Sequence, residues 1–290
     1  MELNQTTLKA ERQAFHALLI ANGTLAINKA GVPSNADKSQ KSSIKFASEI
    51  ARLLKVETVG ERLAGQTVGG QFEAAVMSFL ERTFPLLNTL RPGSWRFTNL
   101  GGKRRGAGMS DYVPFRHLDE LARAIEASPT LQSVLGNAYV ISPDVLVSRL
   151  PEPDERIEQG GLLMSDDVGR YTPVREANQP HPILHAVVSC KWTLRSDRAQ
   201  NARSEALNLV RNRKGRLPHI VVVTGEPTPS RISSLALGTG DIDCVYHFAL
   251  PEMIEAVTKS GNDEALNLLM SMVNGERLRD IADLPLDLAV

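Results

Sequence analysis

Apolar residues recur along this chain with two periods, one helical and one extended, and the alternation between them predicts an α/β protein. Residues 7–28 carry Phe15, Leu18, Leu19 and Ile20 at helical spacing, with Gly23 as a break. A polar, turn-rich loop over 29–43 separates this helix from another over 43–56, whose inner side holds Ile44, Ala47, Ile50, Ala51 and Leu54. A glycine-rich stretch at 65–70 precedes a helix over 71–87 with Phe72, Val76, Phe79 and Leu80 on one side. That reading puts Glu73 in the first turn, where the helix dipole favours an acid. Two further helices are predicted near 115–127 and 129–136.

The pattern then becomes extended. Residues 138–148 read as a strand carrying Pro143 and Asp144, and Ala186, Val187 and Val188 open a second strand that ends at Lys191. Strict alternation puts Ser189 and Lys191 on one face of it, and Ala186, Val188 and Cys190 on the other. An ammonium at the end of a buried strand needs an anion beside it, and Asp144 is the available partner. Past Lys191, Ser196 or Asp197 can cap a helix whose apolar side holds Ala202, Ala206, Leu209 and Val210. Arg198 and Glu205, seven residues apart, lie nearly in line on it. Strands over 219–224 and 242–248 and a helix over 251–259 follow, with residues 225–231 as a rigid loop carrying Arg231. The tail, 263–290, is read as helical and suited to a subunit interface, and 150–182 as a long polar surface loop.

Composition narrows the functional classes. The 290 residues balance 33 Lys and Arg against 33 Asp and Glu, so the chain is no polycation held to nucleic acid by bulk charge. Its basic residues are concentrated instead. Eight of them fall between Lys191 and Arg216 against only Asp197 and Glu205, and GGKRRGAG occupies 101–108. The latter lacks the Gly-Lys-Ser/Thr ending of a nucleotide-binding loop. A basic patch on a neutral protein suits selective docking to DNA, and equally a solvated helix face. Cys190 and Cys244 sit in predicted strands without zinc spacing, so a reduced, cytoplasmic protein is expected. Neither a signal peptide nor a membrane span is visible.

Pro143-Asp144, then Ser189-x-Lys191, then Glu205 resembles the motif of the PD-(D/E)xK nucleases. The run Ser-Cys-Lys-Trp-Thr-Leu-Arg-Ser-Asp-Arg-Ala-Gln-Asn, from Ser189 to Asn201, is similar to the Type II restriction endonucleases that read CCGG. The resemblance implies one restriction-endonuclease-like domain over 1–290, with a central mixed β-sheet flanked by helices. Its parts would be a helical region to about 136, a catalytic core over 137–260 and a helical tail over 261–290. One position departs from the common motif: Ser189 stands where an acid is usual, and the resemblance moves that carboxylate to Glu205.

Hydrolysing a phosphodiester needs an in-line water, charge neutralisation at phosphorus and help for the leaving oxygen. Carboxylates holding Mg²⁺ with a nearby lysine supply these. The resemblance assigns Asp144, Lys191, Glu205, Glu73 and Ser189 to the catalytic site. Two Mg²⁺ ions would be held by Asp144, Glu205, the Cys190 main-chain carbonyl and, through water, Glu73. Arg195, Asp197 and Arg198 at a helix start suit stacked G·C pairs, because arginine bonds guanine O6 and N7 and a carboxylate accepts from cytosine N4. In the resembled enzymes such positions read the central CCGG, Arg231, Asp37 and Ser39 match those that read an outer G·C, and Gln66 a minor-groove contact. The implied activity is cleavage of GCCGGC after the first G, by a dimer at least and a tetramer by resemblance, with a companion methyltransferase in the host. A repair or structure-specific nuclease and a non-catalytic DNA-binding module are the alternatives.

Overall fold

A computed structural model of the chain describes residues 7–57, 65–100, 108–135, 143–165, 167–238 and 240–290, apart from the side chains of 65, 66 and 135. Helices α1 (Thr7–Ala21), α2 (Lys41–Leu53) and α3 (Gly65–Thr83) precede strand β1 (Trp95–Asn99). Next come α4 (His117–Glu126), α5 (Pro129–Leu135), β2 (Val145–Arg149), a single turn α6 (Asp154–Ile157) and β3 (Ile183–Lys191). The second half runs α7 (Ser196–Asn212), β4 (His219–Thr224), α8 (Pro229–Ala236) and β5 (Cys244–His247). It closes with α9 (Leu250–Lys259), α10 (Asp263–Asn274), β6 (Leu278–Asp280) and α11 (Leu284–Asp287).

The strands form one mixed sheet in the order β1-β2-β3-β4-β5-β6, antiparallel from β1 to β3 and parallel from β3 to β6. Its centre is β3, whose inner seven residues are all buried. Parallel strands covered on both faces read as unbroken apolar runs, which is why β3 and β4 stand out in the sequence. Helix α3 lies against β1, β2 and β3, while α8 packs on β5 and α10. Most of the buried apolar residues, from Phe15 to Ala289, make one continuous cluster.

Four expectations are corrected. The glycine-rich stretch at 65–70 is the start of α3 and not a loop before it. Val68 and Phe72 are both buried, so the apolar side of the helix extends back through the glycines, and tertiary packing overrides the roughly 1 kcal/mol that each glycine costs. Glu73 therefore lies about two turns inside the helix, away from the dipole's end. The loop over 225–231 runs into α8, with Pro229 at its first position, where a missing N–H costs nothing. Helix α7 is capped at Arg195, one residue earlier than expected, and neither Ser196 nor Asp197 serves as its cap. Lastly, the parts expected to be helical each contribute a strand. β1 is a half-buried edge strand without clear alternation, and β6 is only three residues long. In the tail, Ile281, Leu284 and Leu288 are buried in the chain's own core. The basic residues at 101–107 lie outside the described residues, as does most of the strand expected before Asp144.

A bulge in the pairing of β2 with β3 leaves His185 without an opposite number, since Val147 faces Ala186 and Ser148 faces Leu184. Such a bulge re-aims a side chain. The His185 ring meets Trp95, with centroids 4.9 Å apart, and its Nε2 pairs with the Leu288 carbonyl at 2.7 Å.

Candidate functional site

The register of the sheet creates the site. Val145 pairs with Val188, so the antiparallel ladder carries Asp144, just before β2, to the end of β3. There Asp144 Oδ2 accepts from the Lys191 ammonium at 2.7 Å and from the Cys190 N–H at 2.6 Å. Burial acts to lower the Lys191 pKa, but Asp144, helped by Glu205, raises it on balance. Lys191 is thus a fixed cation. The expectation that Asp144 is its partner holds in the structure.

Beyond Lys191 the backbone is held tightly. The Lys191 carbonyl accepts from Thr224 Oγ1 at 2.7 Å and from Gly225 N at 3.2 Å. Gly225 is required there, because a Cβ would run into the Trp192 ring and lie 2.9 Å from the Trp192 carbonyl oxygen. Trp192 itself is buried between Phe72 and Phe248, with centroids at 5.0 and 5.2 Å. Phe72 adjoins Glu73, so the packing that seats the tryptophan also presents the acid.

Glu73 and Lys191 line a common cleft of about 590 Å³, together with Cys190, Arg195, Arg198, Arg231 and Asp37. Burial, then repulsion from Asp144, pushes the Glu73 carboxyl up to about 7, with Lys191 pulling partly back. Ser189 is buried and its hydroxyl has no hydrogen-bond partner among the described residues, while burial also keeps the Cys190 thiol well above its usual range. Glu205 is half-buried on α7, near enough to Lys191 to act on it electrostatically.

Charge of the opposite sign surrounds the mouth of the cleft. Arg198 donates to Thr193 Oγ1 at 2.7 Å, while Arg195 and Asp197 are exposed at the start of α7. Arg231, in the first turn of α8, donates to Asp37 and lies 3.8 Å from Glu226. Asp37 in turn accepts from the Ser39 hydroxyl at 2.7 Å. Bonds from Ser39, and then Arg231, hold the Asp37 carboxyl well below the usual range. Of the residues singled out from sequence, Asp144, Ser189, Glu205, Asp197 and Ser39 do not line the cleft, and the side chain of Gln66 lies outside the described residues. Sequence reasoning missed Glu226, fully buried yet bonded to the backbone on both sides, because burial of an acid leaves no periodic signal.

A mixed sheet sets Pro-Asp at the head of one strand against a lysine at the tail of the next, beside a cleft ringed with arginines, the arrangement that the resemblance to the PD-(D/E)xK nucleases leads one to expect. The family model for the NgoMIV restriction enzyme matches residues 15–290. The chain is also 52% identical over 280 residues to the Type II restriction enzyme NgoMIV of Neisseria gonorrhoeae, covering 97% of this chain and 98% of that protein. The chain belongs to the NgoMIV restriction-enzyme family and is a Type II restriction endonuclease, a site-specific deoxyribonuclease that binds DNA. Two solved structures are also similar. One is the restriction endonuclease PspGI with substrate DNA, at 13% identity, 87% of this chain, 95% of that one and a TM-score of 0.25. The other is the Type IIF restriction endonuclease Bse634I with cognate DNA, at 12% identity, 95% and 91% coverage and a TM-score of 0.33. At those TM-scores neither overlay adds to the assignment.

Enzymes of this family generally use a divalent metal ion. The residues fit one. Asp144 and Glu73 repel each other, and a hard cation with oxygen ligands relieves that repulsion. Among the described residues no three His, Cys, Asp or Glu side chains already converge on one point. A magnesium ion, which keeps several waters, does not require that they do. No helix among the described residues is long and apolar enough to cross a membrane.

Proposed function

We propose that this endonuclease recognises GCCGGC and cuts both strands after the first G, leaving 5′-CCGG overhangs. The observation that carries the reading is that Arg195, Arg198 and Arg231 surround the same cleft that Lys191 and Glu73 line. Arg195 and Arg198 bond O6 and N7 of the central guanines, and Asp197 accepts from cytosine N4; each good pair is worth about 1–3 kcal/mol of discrimination. Arg231, with Asp37 and Ser39, reads the outer G·C, and Gln66 touches the minor groove.

At the scissile phosphate, Lys191 holds its charge beside Asp144 and stabilises the negative charge that builds on phosphorus. Asp144, Glu205 and the Cys190 main-chain carbonyl would hold Mg²⁺, two ions in each site, with Glu73 acting through water. When bound, such an ion would supply an activated water and neutralise charge on the leaving oxygen. Glu205 on α7 would supply the carboxylate that Ser189 lacks. A palindromic site calls for two-fold symmetry, so a dimer is the minimum and a tetramer of two dimers the working form. The enzyme acts in the cytoplasm, where a companion methyltransferase protects the host's own sites.

The test is digestion of an unmethylated plasmid library with purified protein and Mg²⁺, followed by sequencing of the cut ends. Ends at GCCGGC with 5′-CCGG overhangs are expected. Cutting at CCGG with any flank would remove Arg231, Asp37 and Ser39 from the reading set, and random nicks would replace the site-specific reading with that of a repair nuclease.

A further inference from the structure

Glu226 lies in the loop between β4 and α8 and is fully buried. A buried carboxylate is costly unless its oxygens are paired, and apolar packing fills space at lower cost. Here both oxygens are used. Oε2 accepts the N–H of Leu194 at 2.9 Å, and Oε1 accepts the N–H of Thr228 at 3.2 Å. Leu194 directly precedes Arg195, the cap of α7, and Thr228 is the cap of α8. The same carboxylate lies 3.8 Å from Arg231. Neighbouring bonds extend the clamp: His247 Nε2 pairs with the Glu226 carbonyl at 3.2 Å, and Asn35 donates to the Gly225 carbonyl at 2.8 Å, two residues before Asp37.

We propose that Glu226 is a positioning residue for sequence discrimination, tying the starts of α7 and α8 together so that Arg195, Arg198 and Arg231 meet DNA as one unit. The inference rests on the base-reading roles given above. Bidentate contacts demand placement within a fraction of an ångström, which loops supply only when locked from below. With one carboxylate locking both helix starts, reading of the central and the flanking base pairs stands or falls together.

The experiment compares cut-end profiles from a random-sequence library for the wild type, Glu226→Gln and Arg231→Ala, with melting curves alongside. Glutamine keeps the shape and one acceptor oxygen but turns an N–H₂ toward one of the two backbone donors and removes the charge facing Arg231. Arg231→Ala relaxes the flanking position alone. Glu226→Gln relaxes the flanking and central positions together, by about tenfold or more in preference for the wild-type site, and raises KM more than it lowers kcat. An unchanged profile overturns the inference, as does relaxation confined to the flank. So does a uniform loss of activity on all sites that tracks the melting temperature, the mark of a merely structural role. Should Glu226→Gln melt below the assay temperature, Glu226→Asp, which keeps the charge on a shorter arm, is judged by the same comparison. Each variant is scored against the wild type's own profile, so a preferred site other than GCCGGC corrects the site without deciding the inference. A wild type with no sequence preference overturns both.

Discussion

At the scale of single residues, Lys191 shows how a side chain acquires its chemistry from its surroundings. Burial alone favours a neutral amine, and the Asp144 carboxylate at 2.7 Å restores the charge. Lys191→Ala is expected to abolish cleavage in Mg²⁺, while site-specific binding persists in Ca²⁺ and is measured by gel-shift competition. Residual cutting at near wild-type rates would remove Lys191 from the chemistry. The Asp144–Lys191 pair was legible in the sequence, because an ammonium ending an apolar strand demands an anion. The depth of Glu73 was not. Its spacing suggested a first-turn acid and only the resemblance placed it at the site; it lines the cleft two turns into α3, with a pKa raised to about 7 by burial and by neighbours distant in sequence.

At the level of elements, the contact between the turn after β3 and the turn after β4 positions Lys191. Thr224 and Gly225 both donate to the Lys191 carbonyl, and Gly225 has no room for a side chain against Trp192. Gly225→Ala is expected to cost about 1–3 kcal/mol through overpacking, read as a lowered melting temperature, and to slow cleavage by displacing Lys191. An unchanged melting temperature and rate would show that the turn is free to shift. Strands β3 and β4 announced themselves as apolar runs, whereas β1, β6 and α8 did not. An edge strand with one half-buried side, a three-residue strand and a helix begun by proline carry too little pattern to be separated from loop.

For the molecule as a whole, two buried histidines work against stability in acid. Burial holds both His185 and His247 down to about 4 against an ordinary value near 6.5. In His247, Nδ1 accepts from Ala249 N at 3.1 Å, a bond that a second ring proton would break. Between those two pKa values the unfolded chain binds protons that the folded chain refuses, so stability is intact above about pH 6.5 and is lost as pH falls toward 4. Each histidine contributes roughly 2–3 kcal/mol across that window. Glu73, held at about 7, takes up a proton in the folded state over the same range and opposes this loss. The clean measurement is therefore made on Glu73→Gln: its melting temperature is expected to fall on the order of 10 °C between pH 7.5 and 5, and a flat profile would contradict neutral burial of these rings.

The sequence by itself determined the α/β class, the central strand with its lysine, the acid that partners it and the arginine cluster after it. All of these follow from local periodicity and from the cost of burying charge, which act over a few residues. Only the tertiary structure decided that Glu73 faces Asp144, that Arg231 reaches Asp37 across 194 positions of chain, and that Glu226 locks two helices. These depend on strand order, register and the depth to which each side chain is buried, and such long-range relations leave no trace in the spacing of residues along one chain.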